Sequence, residues 1–284
     1  MPAVKTRSTK IAGRASFYLG VIVLLCICLF PFFIMLMTAF KGSEEAISRN
    51  PTFLPKDWTL QHFIDIFNPA IFPYLHYLQN SFIVSVTASV ISVGIAIFGA
   101  YALSRLNFRG RLAINASFYT VYMFSGILLV VPLFKVIAGL GLYDTKTSLI
   151  IVMIVQTLPT AILMLNSYFE TIPKDLEEAA KIDGLNRIKV IFYIIIPLSF
   201  TGIVSVFVYC FMVAWNDFLF ASIFFSGAEN FTLPVGLYAL FSTPDYVWGR
   251  MMAASIITAL PVVIMYAISE NLIKGNVTDG GVKG

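Results

Sequence analysis

Long apolar runs that are almost free of charge recur along the chain and define its predicted elements. The first run covers the 24 positions from Phe17 to Phe40, which is about 36 Å of helix and enough to cross the hydrocarbon core of a bilayer. Its length exceeds that of a signal-peptide core, so we expect an uncleaved membrane span. Comparable runs follow at 80–103, 114–137, 148–168, 200–225 and 251–272. The pattern therefore predicts an all-α, polytopic membrane protein with about six transmembrane helices.

The distribution of lysine and arginine predicts the orientation of these spans. If the N-terminus is cytoplasmic, thirteen of the 19 Lys and Arg residues lie on the cytoplasmic side. Because cytoplasmic loops are enriched in these residues, we predict a multi-pass protein of the cell (inner) membrane with both termini in the cytoplasm. The predicted organisation is a cytoplasmic segment at 1–16, a first transmembrane helix at 17–40, an extracytoplasmic loop at 41–79, a transmembrane core at 80–272 and a cytoplasmic tail at 273–284.

Composition excludes several classes of protein. Hydrophobic residues make up 58% of the chain and charged residues only 12%, whereas soluble domains have about 25% charged residues. An ordinary soluble enzyme, a secreted disulfide scaffold and a disordered regulator are therefore excluded. The net charge of +4 is small, and we interpret it as loop asymmetry rather than as a surface for nucleic acid. Cys26, Cys28 and Cys210 lie in apolar runs without the spacing of a metal site.

Four features of the spans and outer loops leave alternatives open. Small residues at helical spacing favour close helix packing, and the prolines inside the runs free carbonyl oxygens that need a partner or a water-lined cavity. The loop at 41–79 is interpreted as a folded cap or as a linker. Aromatic residues in the outer loop at 226–249 either stack on sugars or belong to the interfacial belt. The small residues are Ala88, Ser92, Ala96, Ala100, Ser81, Ser85 and Ser89, and the prolines are Pro31, Pro132, Pro159 and Pro261.

The inner loop at 169–199 has the densest charge in the chain. Asp175 and Glu178 have the spacing of a capping box at the start of a short helix, and Gly184 has the position of a left-handed residue that ends one. A second amphipathic stretch at 186–196 then stops at Pro197. A helix that exposes Glu177, Glu178 and Lys181 suits the groove of a partner protein. The alternative is a helix that only lies on lipid headgroups.

This loop resembles the EAA signature of binding-protein-dependent ABC importer permeases. The matching residues are Glu178-Ala179-Ala180, Asp183-Gly184 and Ile194-Ile195-Ile196-Pro197, with Ile196 where leucine is usual. Trp215-Asn216-Asp217 is similar to the AWN segment of sugar permeases. The tail Gly280-Gly281-Val282-Lys283-Gly284 is similar to the C-terminus of the smaller, maltose-type permease subunit.

The resemblance implies a type I ABC importer permease fold of the carbohydrate-uptake class, which translocates a sugar such as a di- or oligosaccharide. It implies a second, homologous permease, two ATPase subunits that bind ATP and Mg, and an extracytoplasmic solute-binding protein. Glu178 would form a salt bridge with an ATPase arginine, and Ala179, Ala180, Asp183 and Gly184 would complete the docking helix. The tail at 275–284 would reach between the ATPases, and the loop at 226–247 would probe the binding protein.

The residues themselves agree with a non-catalytic subunit that has no cofactor of its own. The chain lacks a P-loop motif and the HExxH motif, and His62 and His76 have no metal-ligand spacing. An intramembrane enzyme, a stand-alone channel and a proton-coupled carrier are the competing classes, and a glycerol 3-phosphate permease is the competing substrate assignment. Trp215, Asn216 and Asp217 are candidates for the substrate pathway, or for a hydrogen bond that only holds the bundle together.

Overall fold

A computed structural model of the chain describes residues 7–48, 52–123, 126–241 and 247–280, with side chains between residues 16 and 272 of those ranges. Within these ranges, four helical stretches are long and apolar enough to span a membrane: Ser16–Ala39, Tyr74–Arg105, Lys146–Glu170 and Trp248–Leu272. Two further pairs of helices pass the same criterion together, but each pair is sharply bent. The described residues therefore form an all-α structure with up to six spans, as the apolar runs predict.

The helices are numbered in chain order. They are α1 (Arg7–Ala39), α2 (Ser43–Ala46), α3 (Gln61–Ile66), α4 (Tyr74–Arg105), α5 (Arg111–Met123), α6 (Gly126–Gly139), α7 (Lys146–Glu170), α8 (Lys174–Ile182), α9 (Arg187–Val190), α10 (Ile196–Leu198), α11 (Phe200–Trp215), α12 (Leu219–Phe224), α13 (Leu233–Phe241) and α14 (Trp248–Gly280). A π-helical turn at Ile191–Ile195 joins α9 to α10, and a 3₁₀ turn occupies Ala228–Asn230.

Four of the predicted apolar runs differ in extent from the helices of the structure. Helix α4 begins at Tyr74 rather than at 80, because the aromatic residues of its first turns are buried and start the helix early. The run at 114–137 forms α5 and α6, whose axes differ by 102°. The run at 200–225 forms α11 and α12, with a break at 216–218. Helix α14 continues to Gly280, beyond the predicted end at 272, and residues 281–284 of the predicted tail lie outside the described residues.

The chain divides into two units, one made of residues 1–73 and 240–257 and the other of 74–239 and 258–284. In the larger unit, α4 packs along α7 and α11. All seven small residues noted above are buried on α4, so they confirm close helix packing. The hydroxyls of Ser92 and Thr157 lie 2.8 Å apart in this contact and join α4 to α7.

In the smaller unit, the described part of the loop after α1 is folded. The Lys41 ammonium donates to the carbonyl oxygen of Thr52, and the Nε2 of His62 donates to the carbonyl oxygen of Lys41 at 2.8 Å. Lys41 also forms an isolated antiparallel bridge with Trp58. These contacts bury Lys41 and His62, and they support the interpretation of this loop as a folded cap rather than a linker.

Candidate functional site

The helix that carries the EAA-like sequence is α8, and it begins one residue before Asp175. Pro173 precedes the helix without a side-chain capping bond, and Asp175 is the second helical residue. The predicted capping box is therefore wrong, because the fixed φ of Pro173 starts the helix before Asp175 can act as a cap. On this helix Glu178 and Ala179 are exposed and Ala180 is buried. Its outer surface thus offers a carboxylate beside a small side chain.

Gly184 ends α8 in the left-handed conformation that the sequence predicts. Its φ is +86°, and a Cβ atom there would meet nothing within 4 Å, so the backbone conformation alone requires glycine. The N–H of Gly184 donates to the carbonyl of Lys181 at 3.1 Å, and the N–H of Leu185 donates to that of Ala180 at 3.0 Å. This pair of bonds is a Schellman motif around Asp183, the last residue before the corner.

After the corner, the chain turns into a second helical segment that runs further than predicted. Asn186 accepts a hydrogen bond from the N–H of Lys189 at 2.9 Å and so caps α9. The helical path continues through the π-helical turn and past Pro197 to Leu198, because proline is tolerated in the first turn of α10. The chain then bends by 83° into α11.

Glu177 is buried, in contrast to the exposed position that the sequence predicts. Its carboxylate is 3% exposed and lies 2.5 Å from Nε of Arg105, whose side chain is 5% exposed. The hydroxyl of Tyr101 donates to the same carboxylate at 3.2 Å. Arg105 also donates to the carbonyl oxygen of Ile172 at 2.8 Å. The last turn of α4 is thereby linked to α8 through a buried ion pair, which we call the α4–α8 link.

The sequence analysis missed this link because its two charges are 72 positions apart. One signal was present: Arg105 is a lone charge that directly follows the apolar run at 80–103. A cation at the end of a long helix requires either solvent or a carboxylate. The structure supplies the carboxylate from the residue next to Glu178.

The residues of the AWN-like segment lie at the end of α11 rather than inside a continuous span. Trp215 is 2% exposed and stacks on Phe211 with ring centroids 5.3 Å apart. The amide of Asn216 donates to the carbonyl of Met212 at 2.8 Å. The carboxylate of Asp217 accepts from the N–H groups of Phe220 at 3.4 Å and Ala221 at 2.9 Å.

These contacts explain why the predicted fifth span is broken. Asn216 ends α11 by satisfying a terminal carbonyl, and Asp217 caps the start of α12. In this conformation Trp215 offers no face for stacking on a sugar, while Asn216 is exposed. A role of the three residues in the substrate pathway stays a prediction.

Asp144, which the sequence analysis also missed, holds the loop that follows α12. Its carboxylate accepts from the N–H of Ser226 at 3.0 Å, the Ser226 hydroxyl at 2.9 Å and the N–H of Gly227 at 3.1 Å. Its carbonyl oxygen accepts from the side-chain amide of Asn230 at 2.7 Å. Asp144 itself has a φ of +58°, which is uncommon for a residue with a side chain.

The same loop is tied to α4 from its other side. Asn80 donates to the carbonyl oxygens of Glu229 at 2.8 Å and Phe231 at 3.0 Å, and the hydroxyl of Ser81 accepts from the N–H of Leu233 at 2.7 Å. Partial burial raises the pKa of Asp144, but the hydrogen bonds from Ser226, Gly227 and Asn230 lower it more, so the pKa lies below its ordinary value. The loop is thus a shaped surface held at both ends.

Residues 92–276 match the family described as Binding-protein-dependent transport system inner membrane component. The chain belongs to this family. It is a permease component of a membrane transport system, and the match covers the α8 corner, the α4–α8 link and the AWN-like segment. Among the described residues no group of three His, Cys, Asp or Glu side chains is placed to hold a metal ion.

The sequences of similar proteins align with almost the whole length of the permease. The inner membrane ABC transporter permease protein YcjP of Escherichia coli (strain K12) is 68% identical over 96% of this chain and 97% of its own length. The trehalose/maltose transport system permease protein MalG of Thermococcus litoralis is 36% identical, and the alignment covers 97% of this chain and 99% of the relative.

A solved structure shares the fold of the permease. A chain of a bacterial ABC transporter involved in the import of the acidic polysaccharide alginate superimposes with a TM-score of 0.78. The two sequences are 24% identical, and the superposition covers 95% of this chain and 99% of the other. The likeness concerns the fold, and it confirms the type I ABC importer permease architecture that the resemblance implies.

Proposed function

We propose that this permease is one of two transmembrane subunits of an ABC importer that carries a sugar, such as a di- or oligosaccharide, into the cytoplasm. The observation that carries the proposal is the geometry of α8. A short helix with an exposed carboxylate, a small exposed neighbour and a glycine corner is suited to docking in a groove on another protein. The chain has no P-loop, so the energy comes from a separate ATPase.

The docking surface combines charge with an exposed apolar side chain. Glu178 and Ala179 are exposed on α8, and Ile182 at its last turn is 86% exposed. Glu178 and Ile182 are four positions apart and so lie on the same face of the helix, which offers a partner protein both a charge and an apolar contact. We assign this surface to the ATPase, with Glu178 opposite an arginine of that subunit.

The sugar assignment rests on the relatives. The Thermococcus litoralis protein is named for the transport of trehalose and maltose. The competing substrate, glycerol 3-phosphate, favours arginines within the pathway, and the six apolar runs of this sequence contain no arginine. A second permease can supply such residues, so this argument only ranks the two substrates.

The remaining partners follow from the same arrangement. We assign the loop at 226–247 to contact with an extracytoplasmic binding protein, because Asp144 and Asn80 hold its first part in a fixed shape. Residues 242–246 of this loop lie outside the described residues. We assign the tail at 275–284 to the cytoplasmic side, between two ATPases. We also assign a second, homologous permease as the other transmembrane subunit of a heterodimer.

The test is transport by the native complex, purified through a tag on this chain and reconstituted in liposomes with its binding protein. We expect ATP-driven uptake of at least one of trehalose and maltose, and no uptake of glycerol 3-phosphate. Glu178→Lys should abolish uptake and binding-protein-stimulated ATP hydrolysis while the permease pair still assembles, because it inverts the charge offered to the ATPase. Gly184→Val should do the same by opposing the positive φ.

The matched control is Asp175→Lys, which inverts an exposed charge at the other end of α8. It should retain most of the uptake. Normal coupled transport by Glu178→Lys would remove α8 as the docking element. Uptake of glycerol 3-phosphate alone would replace the sugar assignment by its competitor.

A further inference from the structure

A cavity of about 170 Å³ lies among α5, α7 and α11 and the first half of α6. Its polar lining consists of Tyr122, Gln156, Thr160 and Tyr209, and Pro159 lies between the two α7 residues. Gln156 and Thr160 are near the middle of the 25-residue α7, and Tyr209 is near the middle of the 16-residue α11. The cavity therefore lies at mid-depth of two membrane helices.

Gln156 is the central polar group of this cavity. Its Nε2 atom is buried and has no hydrogen-bond partner in the described structure. Its Oε1 atom lies close to Gly126, since a Cβ on that residue would be only 3.1 Å from it. Gly126 thus leaves space for the amide. An amide at this depth faces a bundle interior or a polar cavity rather than lipid.

The hydroxyls around Gln156 are also unused, in contrast to other hydroxyls on the same helices. The described contacts give Thr160 and Tyr209 no hydrogen bond in which their hydroxyls take part. Thr120 on α5 and Ser205 on α11 instead donate to carbonyl oxygens one turn earlier in their own helices. The polar groups that line the cavity are therefore left available to a ligand.

Pro159 frees a backbone acceptor on a residue that lines the same cavity. Proline has no N–H, so the carbonyl oxygen of Val155, four positions earlier and also in the lining, lacks its usual helical donor. The cavity then offers amide N–H donors from Gln156, a backbone acceptor, several hydroxyls and two tyrosine rings. This combination matches a sugar ring, which presents hydroxyls around its edge and C–H groups on its faces.

We propose that this cavity is a subsite for one ring of the translocated sugar, with Gln156 and Thr160 as specificity-determining residues. The proposal rests on the proposed sugar-import function. The volume is room for about six water molecules at about 30 Å³ each, which suits one ring of a di- or oligosaccharide. The rest of the sugar would contact other parts of the pathway.

The test compares Gln156→Leu and Thr160→Val with Thr120→Val in the reconstituted native complex. Thr120→Val is the matched control, because it removes a hydroxyl that already bonds to the Ala116 carbonyl. We expect Gln156→Leu to lower the amount of maltose or trehalose imported per ATP hydrolysed by about three- to tenfold, and to change the ratio between the two sugars. The control should leave both quantities unchanged.

A second measurement reports occupancy directly. In a variant without Cys26, Cys28 and Cys210, Gln156→Cys should react with N-ethylmaleimide, and the imported sugar should slow that reaction. A side chain of the second permease that fills the cavity would instead make the cysteine unreactive with or without sugar, and this result would overturn the subsite.

The failures of the two proposals are distinguishable. Wild-type complex that imports neither sugar contradicts the proposed function and the subsite together. Wild-type import with an unchanged sugar ratio and an unchanged yield per ATP in Gln156→Leu contradicts the subsite alone. A loss of assembled complex in Gln156→Leu, with normal transport by the remainder, assigns the residue to packing and also overturns the subsite.

Discussion

At the residue scale, two adjacent carboxylates on α8 have opposite surroundings. Glu177 is buried against Arg105 and Tyr101, whereas Glu178 is exposed. A helix places neighbouring residues about 100° apart, so one carboxylate faces the transmembrane helices and the other faces outward. The helix that we propose as the docking element is therefore joined to α4 by the buried pair.

The buried pair predicts that a single variant lowers stability much more than a double variant that removes both charges. Arg105→Ala leaves the Glu177 carboxylate buried without its cation, which costs about 3–5 kcal/mol. We expect a clear loss of thermal stability and of complex yield, measured by fluorescence-detected gel filtration after heating. The double variant Arg105→Gln, Glu177→Gln should recover most of that loss, because no charge is then left unpaired.

The ion pair of the smaller unit gives the control for this prediction. Arg250 lies 3.0 Å from Asp65, and their side chains are 18% and 14% exposed. Because water reaches this pair, Arg250→Ala should cost less than Arg105→Ala. Equal losses from the two variants would contradict the assignment of the α4–α8 link as the stronger contact.

At this scale, the sequence predicts a structural feature when the residues that cause it are close together in the chain. Gly184 was predictable because a glycine directly after a short helical segment is a local sequence signal for a helix end with positive φ. The burial of Glu177 was not, since α8 alone gives no reason to prefer Glu177 over Glu178 as the buried carboxylate. The partner at Arg105 decides between them, and only the packing of α4 against α8 brings it there.

At the element scale, the ends of helices carry much of the polar chemistry of this chain. The prediction of about six spans agrees with the structure if each of its two bent helix pairs counts as one span. The sequence nevertheless joins α11 to α12, because Leu, Phe and Ala continue on both sides of the break. The sequence places the polar residues Asn216 and Asp217 within the predicted fifth span. Their hydrogen bonds to backbone groups make them a helix end and a helix start instead.

Asp217 gives a prediction that separates its capping role from a pathway role. Asp217→Leu removes both acceptors from the start of α12 and should cost about 0.5–2 kcal/mol of stability. Asp217→Asn keeps one acceptor and should assemble normally. Uptake is the deciding measurement: normal uptake by Asp217→Asn assigns the residue to the cap, and slowed uptake with full complex yield supports the pathway role.

The loop held by Asp144 gives a second prediction at this scale. The lowered pKa means that the fold favours the carboxylate, so its contribution is present above the unfolded pKa and is lost as the pH falls through the folded value, below about pH 4. Asp144→Asn should imitate this loss at neutral pH while tolerating the positive φ.

Hydrogen–deuterium exchange of the loop amides tests this expectation. In Asp144→Asn, exchange at Ser226 and Gly227 should accelerate by roughly tenfold after correction for intrinsic rates, and the complex should bind its binding protein more weakly. Asp144→Ala is the harsher comparison, because alanine also opposes the backbone conformation. Unchanged protection in Asp144→Asn would show that Asn80 and Ser81 hold the loop without it.

At the scale of the whole molecule, the predicted orientation rests on the charge count alone. We expect Ser43→Cys to react with a membrane-impermeant maleimide in spheroplasts and Lys174→Cys to react only after the membrane is opened. Both positions are exposed, and the background lacks Cys26, Cys28 and Cys210. Labelling of Lys174→Cys in closed spheroplasts would reverse the assigned sides.

The exposed side chain at the last turn of α8 has a consequence for the biosynthesis of the transporter. Ile182 is 86% exposed and Ile188, just after the glycine corner, is 62% exposed. A subunit that has not bound its partner therefore exposes an apolar surface to water, and chaperones and proteases recognise exposed apolar residues. The cellular amount of this chain should then follow the supply of the protein that buries this surface. Subunits made in excess would be degraded, and the assembled complex would set its own stoichiometry.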